Sequence, residues 1–90
     1  MYSINTTNRL EKDLKKCKKR GYDISLLKKV LNILAADGQL PKKYKPHKLK
    51  GRYHELWECH IKPNWLLIWK QNDRELTLLL MNTGTHSDLF

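Results

Sequence analysis

Apolar residues recur along this chain with two different periods, and the change comes near the middle of the sequence. The first half follows the i, i+3, i+4, i+7 spacing of amphipathic helices, whereas the second half alternates or runs on as strands do. The two helical stripes are Leu10, Leu14 and Cys17, and then Leu27, Val30, Leu31 and Leu34. Before them, Tyr2 and Ile4 alternate with polar residues, which predicts a short first strand.

Capping residues indicate where the two predicted helices begin and end. Asn8 and Glu11 resemble a capping box, with Asn8 as the N-cap and Glu11 reaching back to it. Gly21 supplies a left-handed residue after the first helix. Either Asp23 or Ser25 then caps the second helix, so the connection is short and the two helices form an antiparallel hairpin.

Four strands are predicted in the second half, separated by polar turns. They span residues 47–52 (a strand with its turn), 53–61, 64–70 and 75–83. Pro63 suits the turn between the second and third of these, because its φ is fixed and it has no N–H to donate. In the last strand Leu76, Leu78 and Leu80 face one way and Leu79 the other, so both faces are expected to be covered at least in part.

These elements predict one α+β domain that covers residues 1–90. A helix hairpin cannot bury its apolar stripe alone, so it must pack on a sheet. The predicted architecture is a short N-terminal strand followed by an antiparallel helix hairpin packed on a mostly antiparallel β-sheet. The helices cover one face of the sheet, and the other face carries the polar and basic residues.

The charge of the chain narrows the choice of partner. Eighteen Lys and Arg residues against nine Asp and Glu give a net charge of +9, which favours nucleic acid or an acidic protein. The basic run at residues 12–20 is either a solvated helix face or a long-range attractor for RNA. No stretch is long enough to span a membrane, and the start lacks the features of a signal peptide. Cys17 and Cys59 suit buried positions in a protein of the reducing cytoplasm.

The stretch 58–70 contains the strongest candidate chemistry. Its tight turn is predicted to hold His60, Lys62, Asn64 and Trp65 close together. One base, one cation, one amide and one flat ring suit a substrate made of phosphate and nucleoside. The alternative is a core hairpin with a polar tip, and in the same way Trp65 could either stack a base or pack in the core.

Three blocks of the sequence resemble the signatures of one known family. The blocks lie at residues 47–51, 58–68 and 83–90, and they match YafQ-type toxins of the RelE/ParE superfamily of bacterial toxin–antitoxin systems in order and spacing. The His-x-x-Pro-x-Trp block together with the terminal block is specific. The resemblance implies a small ribonuclease that cleaves mRNA in the ribosomal A site and arrests growth. It also implies neutralisation by a DinJ/RelB-like antitoxin, through which alone the toxin would reach operator DNA.

Histidines are the candidate catalytic groups. RNA is cleaved without a metal when the 2′-OH attacks the adjacent phosphorus, which needs a base, an acid and charge stabilisation of the phosphorane. Histidine suits both proton roles near neutral pH. By the family pattern His86 is the proton donor, His47 and His60 are active-site residues, and Asn64 stands at a catalytic position. His54 lies outside the blocks and is predicted at the surface. No cofactor or metal is expected, since no Cys/His cluster has metal-ligand spacing.

Further residues are candidates for contacts with the substrate. Lys50, Arg52 and Lys62 are candidates for phosphate contact. Phe90 could close a second aromatic wall together with Trp65.

Two positions depart from the family pattern, which has aspartate at 64 and arginine at 82 where this chain has Asn64 and Asn82. Strand alternation predicts Asn82 on the face of Leu80, beside the pocket. A carboxylate and a cation are therefore missing. Two functions stay open: a ribosome-dependent endoribonuclease, or a weakly active or inactive homologue that binds an antitoxin and regulates an operator. Gyrase inhibition, as in ParE-like relatives, is disfavoured because it does not need His86.

Overall fold

The computed structural model describes residues 1–90 and consists of one sheet with two long helices on one of its faces. The strands are β1 (Ser3–Thr6), β2 (His47–Lys48), β3 (Leu56–Lys62), β4 (Trp65–Asn72) and β5 (Thr77–Gly84). The helices are α1 (Asn8–Lys19), α2 (Ile24–Asp37) and the one-turn α3 (His86–Leu89). The predicted α+β class and its arrangement are confirmed.

The five strands lie in the order β1-β5-β4-β3-β2. β1 pairs with β5 in parallel, and the other pairs are antiparallel. Two predicted strand boundaries are wrong. The strand expected from residue 53 begins at Leu56, because Gly51–Tyr53 forms a 3₁₀ turn. Leu76, expected to face the same way as Leu80, lies in the turn before β5 with a left-handed φ of 54° and is exposed.

The start of α1 lies one residue before the predicted N-cap. Thr7 is the N-cap, and its Oγ1 accepts a hydrogen bond from the Leu10 N–H at 3.1 Å. The same hydroxyl contacts the carbonyl oxygens of Leu80 and Met81, so it ties the helix start to β5. Asn8, which lacks this tertiary contact, is the first helical residue instead.

The turn between the helices contains the glycine and the capping residue that the sequence predicts. Gly21 has a φ of 81°, and the N–H of Tyr22 donates to the carbonyl of Cys17 at 3.1 Å, as in a Schellman motif. Of the two alternatives for the second cap, Asp23 is the residue observed: its carboxylate accepts from the Ser25 N–H at 3.0 Å. The helices are thus fixed as a hairpin over the sheet.

The core lies between the helix hairpin and the inner face of the sheet. Leu10, Leu27, Val30 and Leu34 are each at most 2% exposed, and burying such a side chain contributes about 1.5–3 kcal/mol. Their partners on the sheet include Cys59, Leu67, Trp69, Leu78 and Leu80. Both cysteines are buried and unpaired, as predicted, and burial raises the pKa of the Cys59 thiol to about 12. None of the helices has the length and apolarity needed to cross a bilayer.

Candidate active site

The face of the sheet opposite the helices, here called the open face, brings together two of the predicted catalytic histidines. His60 comes from β3, and His86 is the first residue of α3 immediately after β5. The centroids of the two rings are 6.2 Å apart. The histidine side chains that contact other groups through ring nitrogens are those of His47 and His54. Both rings of the His60–His86 pair therefore have nitrogens available to a substrate.

His47 is held by two acceptors. Its Nδ1 lies 2.9 Å from the carbonyl oxygen of Lys45, and its Nε2 lies 3.2 Å from the Glu58 carboxylate, because β2 pairs His47 with Glu58. Both ring nitrogens of His47 are therefore engaged by neighbouring acceptors.

Glu58 was missed by the sequence interpretation. It is 5% exposed and stands two residues before His60 on β3, so both side chains point to the open face. The spacing of two residues could have predicted this, since it puts an acidic side chain on the same face of the strand as His60, where it can pair with another histidine.

An aromatic wall borders the histidine pair. Phe90 is 61% exposed, and its ring centroid lies 6.2 Å from that of His86. Tyr53 packs edge-on against Phe90 at 6.4 Å, and the Arg52 guanidinium lies over the Tyr53 ring at 5.2 Å. Arg52 is thereby brought to the site, with Lys50 exposed just before the 3₁₀ turn. Tyr53 was assigned to a strand by its alternation, which concealed its place in this wall.

The hairpin brings its four functional residues into two hollows, one lined by His60 and Lys62 and the other by Lys62, Asn64 and Trp65. An irregularity at residue 61 shifts the register, so His60 pairs with Leu66 but Lys62 pairs with Trp65. Consecutive residues of β4 point to opposite faces, and the one extra residue therefore turns Lys62 away from the open face.

Trp65 packs in the core, which is the other of the two alternatives. Its side chain is 3% exposed, and its Nε1–H donates to the Thr83 hydroxyl at 2.9 Å. The Tyr22 ring lies against it with a centroid distance of 4.9 Å. A substrate base cannot stack on a ring enclosed in this way. Of the two predicted aromatic walls, Phe90 is the one at the site.

Asn64 lies at the exposed tip of the hairpin, in a hollow on the helix side. The residues around it include Tyr22, Asp23 and Lys62. The structure therefore does not group Asn64 with the histidines. His54 is exposed at the surface, as predicted, with Nδ1 3.1 Å from the Gly51 carbonyl oxygen.

A basic cleft of about 440 Å³ runs along the outer edge of β3 beside His60. Its charged lining is entirely cationic, and we call it the lysine cleft. The lysines that line it are Lys29, Lys43, Lys45 and Lys62. Lys62 thus remains a candidate for phosphate contact, from the cleft and not from the open face.

Contrary to the prediction, Asn82 does not share the face of Leu80 but lies on the open face, the one that carries the histidines. The register of β4 and β5 shifts after Ile68, so Asn82 pairs with Ile68 whereas Leu80 pairs with Trp69. Simple alternation fails here because β5 contains one extra residue. At this edge of the sheet Asn82 Nδ2 donates to the buried Asp13 carboxylate at 3.4 Å.

Asp13 was not singled out in the sequence, where it is one of several charged residues of α1. Its carboxylate also accepts from the Thr83 N–H at 3.1 Å and from Arg9 Nε at 3.2 Å. It therefore satisfies a backbone donor that the irregular end of β5 leaves without a strand partner.

A helix hairpin on one face of a mostly antiparallel sheet, with histidines on the other, defines the class of RelE/YafQ-like toxins. The chain belongs to the YafQ family, bacterial toxins of type II toxin–antitoxin systems, whose family model matches residues 2–90. It is similar to the mRNA interferase toxin YafQ of Escherichia coli K12, with 35% identity over 88 residues that cover 97% of this chain and 94% of the relative.

Solved structures agree with this assignment. The chain is similar to the toxin in the E. coli DinJ–YafQ complex, with a TM-score of 0.90, 33% identity and coverage of 100% and 99% of the two chains. A metal-bound toxin from Helicobacter pylori gives a TM-score of 0.91 and 44% identity over 100% of both chains. In the present chain no three His, Cys, Asp or Glu side chains are grouped as a metal site requires.

Proposed function

We propose that this chain is a ribosome-dependent endoribonuclease, the toxin of a type II pair, which cleaves mRNA by attack of a 2′-OH on the adjacent phosphorus. The observation that carries the proposal is the pair of unengaged imidazoles, His60 and His86, with ring centroids 6.2 Å apart on the open face. At this spacing both rings can contact the same phosphate group. One ring would then take the 2′-OH proton while the other supplies a proton to the leaving 5′-oxygen.

Each side chain of the site has a distinct role in this proposal. His60 is the base and His86 the acid. His47, with acceptors at both nitrogens, takes no part in proton transfer and borders the site beside Glu58. Phe90 offers its exposed ring to a base of the message. Asn64 has no proton-transfer role, because it lies at the hairpin tip on the helix side.

Cations around the site would contact the backbone of the message. Arg52 and Lys50 approach from the loop beside the aromatic wall, and Lys62 approaches from the lysine cleft. Because none of them is held by a carboxylate, their charge is available to phosphate. These contacts are exposed and contribute modestly on their own, so alignment of the message by the ribosome supplies much of the orientation.

The proposed partner is a DinJ/RelB-like antitoxin, since a relative was crystallised with DinJ and the net charge of +9 suits an acidic, partly disordered chain. The toxin would reach operator DNA only through this antitoxin, and it would act in the cytoplasm, where messages are translated. We expect the C-terminal half of the antitoxin to cover His60 and His86. Chemical modification of histidines in the co-purified complex tests this, and two freely reactive rings would contradict it.

A second candidate function is favoured by the two asparagines. Neither Asn64 nor Asn82 brings charge to the histidine pair, and Asn82 is engaged with Asp13. A homologue with little catalysis that binds its antitoxin and regulates an operator would have such a site.

One experiment separates the two functions. The chain is induced alone in cells, and the 5′ ends of messages are mapped with translation running and with translation blocked. The endoribonuclease gives new ends within translated messages only, and His86→Gln abolishes them. Ends that persist without translation would contradict ribosome dependence, and an absence of new ends in both conditions would favour the binding module.

A further inference from the structure

The helix that holds His86 is too short to be stable without help. α3 has 4 residues, and a single helical turn fixes several dihedral angles for one hydrogen bond. The ring of His86 makes no hydrogen bond, so its place over the open face depends on how α3 is attached to the rest of the fold. Besides the packing of Phe90 on Tyr53, the side-chain hydrogen bonds that attach α3 to α1 all pass through one carboxylate.

Asp88 accepts hydrogen bonds from two residues of α1. Arg20 donates from both terminal nitrogens, at 2.6 and 2.9 Å, in the bidentate arrangement that is the strongest form of this pair. Lys16 donates to the same carboxylate at 3.3 Å. The Asp88 side chain is 14% exposed and that of Arg20 is 33% exposed, so the pair is partly shielded from solvent. The contact joins residues that are 68 positions apart.

The same carboxylate also closes the first turn of α3. The Thr85 N–H donates to Asp88 at 2.9 Å, and the Thr85 hydroxyl accepts from the Asp88 N–H at 3.2 Å, which makes a capping box. Gly84 gives the space this requires: a Cβ there would lie 2.7 Å from an Asp88 oxygen. The Arg20 guanidinium holds the pKa of Asp88 well below its usual range, so the carboxylate stays charged near neutral pH.

His86 and Phe90 stand on either side of this anchored residue. They are two positions before and two after Asp88, and the Phe90 N–H donates to the His86 carbonyl at 2.9 Å. A shift of α3 therefore displaces the acid and the aromatic wall together. A displacement of about 1 Å is enough to cost on the order of 10²-fold in rate when a reaction depends on alignment.

We propose that Asp88, clasped by Lys16 and Arg20, is a positioning residue that holds His86 and Phe90 over the scissile phosphate. The inference rests on the proposed endoribonuclease function. Asp88 acts through His86 and does not touch the substrate. Part of the basic run of α1 then has a role in the site: two of its cations hold the helix that contains the acid.

The test compares single-turnover cleavage of a ribosome-bound message by wild type, Asp88→Asn, His86→Gln and the double variant. Asparagine retains an oxygen for the Thr85 N–H but loses the charge that Arg20 needs. We expect Asp88→Asn to lower the rate at saturation about 10- to 100-fold while affinity for the ribosome changes less than about threefold. In the His86→Gln background the same change should cost less than about threefold, because the acid is gone and only the placement of Phe90 is left to disturb.

Matched variants exclude general effects. Asp37→Asn removes an exposed carboxylate without an ion pair and should leave the rate unchanged. Arg20→Lys keeps the charge but loses the bidentate geometry, and it should reproduce part of the Asp88→Asn loss in a fully folded protein. Wild-type rates in both Asp88→Asn and Arg20→Lys, or a full 10-fold loss on top of His86→Gln, would overturn the proposal.

A readout without catalysis keeps this proposal separate from the proposed function. Nuclear Overhauser contacts between the His86 and His60 rings, and between His86 and Phe90, should be present in wild type and lost or weakened in Asp88→Asn. If the wild type does not cleave RNA, the proposed endoribonuclease function is wrong, but these ring contacts still test whether Asp88 positions α3. Unchanged ring contacts in Asp88→Asn would overturn it.

Discussion

Replacing Asn82 by arginine tests where a cation at this position of β5 would go. The hydrogen-bond partner of Asn82 is Asp13, whose carboxylate is 3.4 Å from Asn82 Nδ2 and buried between α1 and the sheet. Although Asn82 lies on the open face, we expect the new guanidinium to pair with Asp13, because this carboxylate is already the hydrogen-bond partner of the side chain. The family pattern has arginine at this position, so the substitution also tests whether the lack of a cation at position 82 limits the cleavage rate.

The magnitude follows from the geometry. Opposite charges about 4 Å apart attract by roughly 1 kcal/mol in water and about 4 kcal/mol at an effective dielectric constant of 20. Ordering the arginine side chain costs up to about 2 kcal/mol. The free energy of unfolding should therefore rise by about 0–2 kcal/mol, with Tm increasing by about 4–8 °C per kcal/mol in a domain of this size. Cleavage should change less than about threefold, because the charge is directed at Asp13.

The assay combines denaturant unfolding with single-turnover cleavage of a ribosome-bound message. Asp13→Asn keeps an oxygen for the Thr83 N–H but releases the guanidinium, so Asp13→Asn with Asn82→Arg should cleave about tenfold faster than Asp13→Asn alone. Asn32→Arg, on the exposed face of α2, adds the same charge elsewhere and should change neither quantity. A tenfold faster Asn82→Arg single variant with unchanged stability would refute the reasoning.

Three further outcomes are expected. His86→Gln should lower the cleavage rate about 10²–10⁴-fold with antitoxin affinity within threefold, and unchanged cleavage would remove the acid assignment. Trp65→Phe should lower the free energy of unfolding by about 1–2 kcal/mol, because the hydrogen bond to Thr83 is lost, and it should leave the affinity for RNA unchanged. Weaker RNA binding by a variant of unchanged stability would instead show that Trp65 stacks on a base. Because the pKa of Asp88 is lower in the folded chain than in the unfolded chain, where it is about 4, the charged carboxylate stabilises the fold above pH 4, and this stability is lost as the pH falls toward the folded pKa. Acid unfolding below pH 4 should therefore be steeper in wild type than in Asp88→Asn. Parallel curves would contradict the pairing of Asp88 with Arg20.

The regular part of the fold was predictable because the period of the apolar residues agrees with the positions of the capping and turn residues. The apolar stripes of α1 and α2, Gly21 and the turn at Pro63 are local signals, and each corresponds to an observed element. The N-cap shifted from Asn8 to Thr7 because Thr7 also bonds to β5, a tertiary contact without any local signature.

Two errors about the face on which a side chain lies have a common cause. A single extra residue in β3 reverses Lys62, and another in β5 reverses Asn82. A β-bulge leaves no trace in the apolar pattern, yet it turns every later side chain of the strand to the other face. Asp88 could not have been found at all, since its partner Arg20 is 68 residues away in sequence.

The placement of positive charge gives a reason for the proposed ribosome dependence that does not rely on the missing residues. Arg52 and Lys50 belong to an exposed loop with a 3₁₀ turn, and Arg52 is held only by the face and hydroxyl of Tyr53. A cation on a strand is already aligned when the phosphorane forms, whereas a cation on a loop must be ordered at that moment and so stabilises it less. A message fixed in the ribosome would order this loop by contact with its own backbone. Free RNA is not held in place, so we expect it to order the loop less. The difference in rate should shrink if the loop is made rigid by a substitution that does not touch the histidines.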